Sequence, residues 1–143
     1  MTVRQISVFL ENKIGRLAEI TQILGNKEIN IRALAIADTA EFGILRMIVD
    51  RPQKAYEALE ERGFTVSQTD VVVVEVEDKP GGLAQVMAIL GKEGINVEYL
   101  YAFVAPRGKS ALVVLKIEKL EDTIGLLQEN KVKILSAQEV SKL

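Results

Sequence analysis

An acid, a proline and two glycines stand close together in the middle of the chain, between a strand pattern and a helix pattern. The segment reads Glu77-Asp78-Lys79-Pro80-Gly81-Gly82-Leu83-Ala84. Asp78 is predicted to be the N-cap of the helix, and Pro80 suits its first turn because proline has no N–H to leave unpaired. The first N–H groups of a helix are free and lie at the positive end of its dipole, so this turn could bind a carboxylate or a phosphate. The same residue types also make turns that bind nothing.

The same arrangement occurs earlier in the chain. Glu11-Asn12-Lys13-Ile14-Gly15-Arg16-Leu17-Ala18 stands 66 residues before the segment just described and follows the same order of patterns. This regularity indicates an internal repeat. The identical residues at this offset are Glu11 and Glu77, Lys13 and Lys79, Gly15 and Gly81, Leu17 and Leu83, Ala18 and Ala84, Ile23 and Ile89, Leu24 and Leu90, Gly25 and Gly91, Ile29 and Ile95, Asn30 and Asn96, and Leu34 and Leu100.

Each repeat predicts the order βαββαβ. Apolar residues alternate from Val3 to Leu10, which is typical of a half-buried strand, and they then recur at helical spacing as far as Gly25. In the first repeat the other predicted elements are strands near 28–38, 42–50 and 64–68 and a helix from Pro52 to Gly63, with a turn at 39–41. The second repeat restarts at Val71, with strands near 71–77, 96–104, 110–117 and 132–137, two intervening helices and a turn at 105–109.

The predicted fold class is α+β, with two tandem ferredoxin-like units. Right-handed crossovers place both helices of a unit on one face of an antiparallel four-stranded sheet, and we expect the other face to be open. The predicted domains are residues 1–69 and 70–143, joined by a short link at Ser67-Gln68-Thr69-Asp70. A unit of this size buries little surface, so the two units are expected to be joined or packed together.

Composition excludes several classes of function. The chain of 143 residues is 48% hydrophobic and 27% charged, as in a soluble globular protein, and its net charge of −2 with scattered basic residues argues against nucleic-acid binding. It contains no Cys and no His, the commonest metal ligands and the usual nucleophile and general base, so we expect no enzyme activity, no metal and no cofactor. The chain has no signal-peptide pattern and no apolar run near the ~20 residues of a membrane span, which predicts a cytoplasmic protein without membrane contact.

These residues resemble a known family. A strand, the loop Asp78-Lys79-Pro80-Gly81-Gly82-Leu83, a helix, Gly94-Ile95-Asn96-Val97 and a second strand are similar in order to an ACT domain, and the first repeat resembles the same family with Asn12 to Leu17 as its loop. The resemblance covers almost the whole chain. ACT domains are small regulatory modules that bind amino acids at interfaces between neighbouring domains. With no enzyme domain attached, the chain resembles the stand-alone tandem ACT proteins.

The resemblance also implies where a ligand would bind. Backbone donors at the helix start would hold the carboxylate of an amino acid, and backbone carbonyls with the side chain of Asn12 or Asp78 would meet its ammonium group. The start of a second strand would complete each site across the interface with a neighbouring domain. The implied residues are Asn12, Gly15, Arg16, Leu17, Asn30 and Ile31 in the first unit, and Asp78, Pro80, Gly81, Gly82, Leu83, Asn96 and Val97 in the second.

The two loops differ in ways that leave alternatives open. The first loop has Ile14 and Arg16 where the second has Pro80 and Gly82, so the first site could be silent. Arg16 is either a planar clamp for a carboxylate or an ordinary solvated side chain.

Three aromatic residues at every second position raise a further alternative. Tyr99, Tyr101 and Phe103 stand where the first repeat has alanines at 33, 35 and 37. They share one face of a strand, and either form a pocket for an aromatic or branched side chain or pack in the core or against another subunit.

The predicted function is regulatory. The chain is expected to bind a free amino acid, with aromatic or branched ones favoured, and to signal to a separate enzyme or regulator by shifting a quaternary equilibrium. Exposed sheet edges favour a homodimer. The alternative is a structural or assembly subunit that has kept the fold and no longer binds a ligand.

Overall fold

The computed structural model of the chain describes residues 1–38, 41–104 and 108–143. The predicted turns at 39–41 and 105–109 include residues outside this part of the chain. The described elements, in chain order, are β1 (Val3–Glu11), α1 (Arg16–Asn26), β2 (Ile31–Asp38), β3 (Phe42–Val49), α2 (Pro52–Glu61), β4 (Thr65–Glu77), α3 (Gly82–Lys92), β5 (Val97–Ala102), β6 (Ser110–Ile117), α4 (Leu120–Glu129), β7 (Lys133–Leu135) and α5 (Ala137–Ser141).

The chain forms two compact units. The N-terminal unit comprises Arg4–Thr69 with Ser141–Leu143, and the C-terminal unit comprises Asp70–Val140 with Met1–Val3. Strand order is β2-β3-β1-β4 in the N-terminal unit and β5-β6-β4-β7 in the C-terminal unit, with β4 contributing its two parts to the two units. This order, and the antiparallel pairing of β1 and β2 with β3 and of β5 and β4 with β6, confirm the predicted α+β fold of ferredoxin-like units.

Each unit has a core between its helices and one face of its sheet. In the N-terminal unit Ile6, Val8 and Leu10 of β1 pack with Ile20 of α1 and Leu59 of α2. In the C-terminal unit the corresponding valines of β4 pack with residues of α3 and α4. Since burying such a side chain stabilises by about 1.5–3 kcal/mol, the alternation in the strands and the helical spacing together determine which face each helix covers.

The face of the C-terminal sheet opposite its helices is not open, contrary to the prediction. Val73 of β4 pairs with Val114 of β6 on one side and with Leu135 of β7 on the other, and all three side chains are fully buried. Val71, which lies on the same face as Val73, is also fully buried. The run Val71-Val72-Val73-Val74 is continuously apolar, which is typical of a strand buried on both faces rather than on one.

The predicted link at Ser67-Gln68-Thr69-Asp70 lies within the continuous strand β4, and the two compact units divide between Thr69 and Asp70. The segment is polar but contains neither Gly nor Pro, and its Thr and the valines around it suit a strand.

The end of the chain differs from the prediction as well. The last strand covers only Lys133–Leu135 and is followed by helix α5. Ser136 and Glu139 form a capping box: the Glu139 N–H donates to Ser136 Oγ at 3.1 Å, and the Ser136 N–H donates to Glu139 Oε2 at 3.0 Å. These two hydrogen bonds stabilise the start of α5 at Ala137, the last residue of the strand predicted near 132–137.

Candidate functional site

The two strand-to-helix loops have the same backbone geometry. In each loop the lysine N–H donates a hydrogen bond to the carbonyl of the glutamate two residues before it. The carbonyl of the glycine before the helix accepts the first helical hydrogen bond. The two repeats therefore share their loop hydrogen bonds as well as their sequence pattern. The matching bonds are Lys13 N–H to Glu11 C=O at 2.8 Å and Lys79 N–H to Glu77 C=O at 3.0 Å, then Glu19 N–H to Gly15 C=O at 2.9 Å and Gln85 N–H to Gly81 C=O at 3.2 Å.

A left-handed glycine caps each helix. Gly15 has φ of 90° and Gly81 has φ of 86°, and neither α1 nor α3 has a side-chain hydrogen bond at its N-cap. The prediction that Asp78 is the N-cap is therefore wrong: Asp78 is exposed, and its own N–H donates to the carbonyl of Lys109 at 2.9 Å. Pro80 likewise precedes the helix, which begins at Gly82. The N-cap position is taken by the left-handed Gly81, and the helix begins four residues after Asp78.

The absence of side-chain caps leaves a pair of backbone donors at each helix start. The N–H groups of Leu17 and Ala18 in α1, and those of Leu83 and Ala84 in α3, have no acceptor within their own helix. They lie at the positive end of the helix dipole, where a carboxylate is stabilised.

Gly82 distinguishes the second loop from the first. It is buried, and a Cβ built on it would lie 2.0 Å from the carbonyl oxygen of Glu77, so no other residue fits this backbone. The Gly82 N–H donates to Lys79 C=O at 3.0 Å, whereas the corresponding Arg16 N–H lies 3.4 Å from Lys13 C=O. The second loop is the tighter of the two.

The side chain of Arg16 is engaged in ion pairs within its own unit. Its Nη1 lies 3.2 Å from Glu19 Oε2 and its Nη2 lies 3.9 Å from Glu11 Oε1. Lys13 Nζ lies 2.6 Å from Glu11 Oε2, as Lys79 Nζ does from Glu77 at 2.7 Å. The hydrogen bond from Lys13, together with its charge, lowers the pKa of the Glu11 carboxyl below its ordinary value.

The loops and the strand starts do not meet within one unit. Glu11, at the first loop, pairs with Phe42 at the beginning of β3, whereas Ile31 pairs with Val49 at its end. Because Phe42 and Val49 stand at the two ends of the eight-residue strand β3, the first loop and the start of β2 are about 24 Å apart. The second unit repeats this arrangement, since Glu77 pairs with Ser110 and Val97 with Ile117.

Asn30 differs from Asn96 in how its backbone is used. The Asn30 N–H donates to Asp50 Oδ1 at 2.9 Å, and its carbonyl accepts the Asp50 N–H at 3.1 Å. Both polar backbone groups of Asn30 are thus occupied inside the N-terminal unit. Asn96 is exposed, and Val97 after it is half-buried at the start of β5.

Comparison with known proteins identifies the family. A family model described as an ACT domain pair matches residues 1–143. The chain belongs to this family. Among solved structures, protein BT0572 from Bacteroides thetaiotaomicron is 44% identical to this ACT domain pair with a TM-score of 0.94, and the match covers 100% of this chain and 98% of that one.

A more distant structure shares the fold. The regulatory subunit of aspartate kinase from Thermus thermophilus has 19% identity to this ACT domain pair and a TM-score of 0.66, with coverage of 88% of this chain and 91% of that one. A search of the curated proteins found no match.

The aromatic residues of the second ACT unit lie on the sheet face opposite its helices. Tyr101 pairs with Val114 and is buried, while Tyr99 and Phe103 are half-buried. An irregularity in the pairing between Val97 and Tyr99 shifts the register at the start of β5. Tyr101 therefore contributes to packing, and Tyr99 and Phe103 keep part of their surface accessible.

No helix of residues 1–38, 41–104 and 108–143 is long and apolar enough to cross a membrane. The same residues contain no group of three or more acidic, His or Cys side chains that could hold a metal ion.

Proposed function

We propose that this ACT domain pair is a non-catalytic regulatory protein that binds a free amino acid at its strand-to-helix loops. Its two domains are taken as residues 1–69 and 70–143. The observation that carries the proposal is the repeated loop geometry, in which a left-handed glycine caps the helix and leaves two backbone N–H donors unpaired within the helix. An amino acid carboxylate fits that pair of donors and the positive helix end.

The second loop is proposed as the principal site. Its carboxylate donors are the N–H groups of Leu83 and Ala84, and the exposed Asp78 side chain is available to the ammonium group. Gly82 holds this loop in its tight conformation. In the first loop Arg16 is already paired with Glu19, which argues against a role for it as carboxylate clamp.

A neighbouring domain in a second copy of the chain is proposed to complete each site. Within one unit the loop and the strand start are about 24 Å apart, which is too far for one amino acid to reach both. Asn96 and Val97 of another copy would supply the remaining backbone groups, so the protein is proposed to act as a homodimer. Asn30 is less suited to this role because Asp50 occupies its backbone.

This arrangement also determines which amino acid is preferred and how its binding is passed to a partner protein. The accessible parts of Tyr99 and Phe103 favour an aromatic or branched ligand. A ligand bound between copies favours one quaternary arrangement by its differential affinity, and a separate enzyme or regulator would respond to that change. The fold shared with the regulatory subunit of aspartate kinase from Thermus thermophilus supports a regulatory role.

Thermal unfolding against each of the twenty amino acids tests the proposal. A ligand that binds only the folded state at 100 times its dissociation constant stabilises by about 2.7 kcal/mol. We expect one or a few related amino acids to raise the Tm of the natural protein. The Gly81→Val variant should lose this response, because a β-branched residue does not adopt the left-handed conformation of Gly81.

Gly91→Val is the matched control, since Gly91 lies in the helix that Gly81 caps, with open space around it and an ordinary φ. It should keep the response. If no amino acid raises the Tm of the natural protein, the chain is better described as a structural or assembly subunit that does not bind a ligand.

A further inference from the structure

Each ACT unit contains a cleft whose lining does not include the two residues that carry the free donors at its helix start. In the N-terminal unit the cleft lies where the end of β1, the beginnings of β3 and β4 and the first turn of α1 meet, and it has a volume of about 390 Å³. The C-terminal unit has a cleft of about 360 Å³ at the equivalent place. Both volumes fall within the range of small-molecule sites.

The N-terminal cleft has an aromatic wall. Phe9 and Phe42 are stacked, with ring centroids 5.2 Å apart and an angle of 26° between the rings. They are 48% and 42% exposed, which is unusual for phenylalanine, and Phe64 also lines the cleft. Such a wall offers a flat apolar surface against which a further ring can pack.

The charged residues of this cleft leave one cation for a ligand. Lys13, Glu11, Arg16 and Glu19 form a chain of ion pairs whose charges cancel. Arg62 also lines the cleft, and its exposed guanidinium takes part in none of the ion pairs found among the described residues. The cleft can therefore accept one negative charge, and a guanidinium holds a carboxylate through two parallel hydrogen bonds.

The equivalent cleft in the C-terminal unit has different chemistry. Ser110 begins β6 there as Phe42 begins β3, and Asn130 is the C-cap of α4 as Arg62 is the C-cap of α2. Glu75 occupies the position of Phe9 in the repeat, and its carboxylate is held by Ser110 Oγ at 2.6 Å and by Lys133 Nζ at 3.4 Å. This cleft has neither an aromatic wall nor an unpaired arginine.

We propose that the N-terminal cleft is a second binding site, selective for an aromatic carboxylate that carries no ammonium group. The ring of the ligand lies against Phe9 and Phe42, and its carboxylate pairs with Arg62. An ammonium group would find no unpaired acid among the residues that line the cleft, because Glu11 and Glu19 are already neutralised by Lys13 and Arg16. The site makes no use of the backbone donors at the helix start, so it is independent of the amino-acid site.

Isothermal titration of the full-length chain with phenylpropanoate, which is phenylalanine without its ammonium group, tests this site. We expect one molecule to bind per chain. Arg62→Gln, an exposed change at a helix end, should weaken binding about 10-fold or more, as for loss of a charged hydrogen bond. Phe42→Ser, which introduces the residue of the other cleft, should weaken it as well. Asn130→Gln is the matched control and should bind like the natural protein.

The amino-acid site is tested separately by Gly81→Val, which should leave phenylpropanoate binding unchanged. The proposal is overturned if phenylpropanoate does not bind, if Arg62→Gln binds it as tightly as the natural protein, or if Gly81→Val abolishes its binding. If Phe42→Ser binds phenylpropanoate as tightly as the natural protein, the stacked rings of Phe9 and Phe42 are not the binding surface, and the proposal is overturned as well.

Discussion

Replacement of Gly82 by alanine should destabilise the protein, although alanine is the better helix former. A Cβ at this position lies 2.0 Å from the carbonyl oxygen of Glu77, where ordinary contacts begin at 3.4 Å, so the backbone must move by more than an ångström. That carbonyl also accepts the Lys79 N–H at 3.0 Å, which holds it in place. Overpacking of this kind costs about 1–3 kcal/mol, and the helical preference of alanine returns up to about 1 kcal/mol. Because the contact is with backbone atoms, the cost should lie in the upper part of this range, about 2–3 kcal/mol, and we expect a net loss of about 1–2 kcal/mol.

Urea unfolding followed by circular dichroism measures this loss. Gly91→Ala in the same helix is the control, because no heavy atom lies within 4 Å of a Cβ there, and it should stabilise by up to about 1 kcal/mol. For a chain of this size the loss in Gly82→Ala corresponds to a Tm lowered by roughly 3–8 °C. The reasoning is refuted if Gly82→Ala is as stable as the natural protein, or if the two substitutions change the stability in the same direction.

Two further predictions concern the N-terminal unit. Asp50→Ala removes the acceptor of the Asn30 N–H and should lower the free energy of unfolding, measured in urea, by about 1 kcal/mol. Asp50→Asn keeps an acceptor oxygen and should lower it by less. Equal losses in the two variants would contradict this prediction. Lys13→Gln should raise the pKa of Glu11 toward its ordinary value, as followed by NMR of its carboxyl carbon against pH. Because the folded-state pKa of Glu11 is lowered, its contribution to stability is present above the unfolded pKa and is lost as pH falls through the folded value; an unchanged pKa in Lys13→Gln would rule out the lysine as its cause.

The parts of the fold that depend on local pattern could be predicted from the sequence. Alternation from Ile6 to Leu10 identified the buried face of β1, because the side-chain period of a strand is fixed by its backbone. The offset of 66 residues between Gly15 and Gly81 predicted two equivalent loops, and their hydrogen bonds are equivalent. Family resemblance rested on these same residues, and the family model confirms it.

The features that the sequence did not reveal depend on tertiary structure. Side-chain preference favours Asp78 as a cap, but the left-handed Gly81 occupies the N-cap position. The pairing of Phe9 with Phe42 joins residues far apart in sequence, and so does the cleft they line. By contrast, the fully buried Val71 to Val74 could have been recognised from their uninterrupted apolar run, and the box formed by Ser136 and Glu139 from its spacing.

The most direct test of amino-acid binding at the loops is backbone NMR of the isotopically labelled chain, titrated with the amino acid that raises its Tm. The account predicts that the largest chemical-shift changes occur at the N–H groups of Leu83 and Ala84, because these donors receive the carboxylate. Smaller changes or none are expected at Leu17 and Ala18 in the first loop. Changes confined to other parts of the chain, with the signals of Leu83 and Ala84 unmoved, would contradict the proposed site.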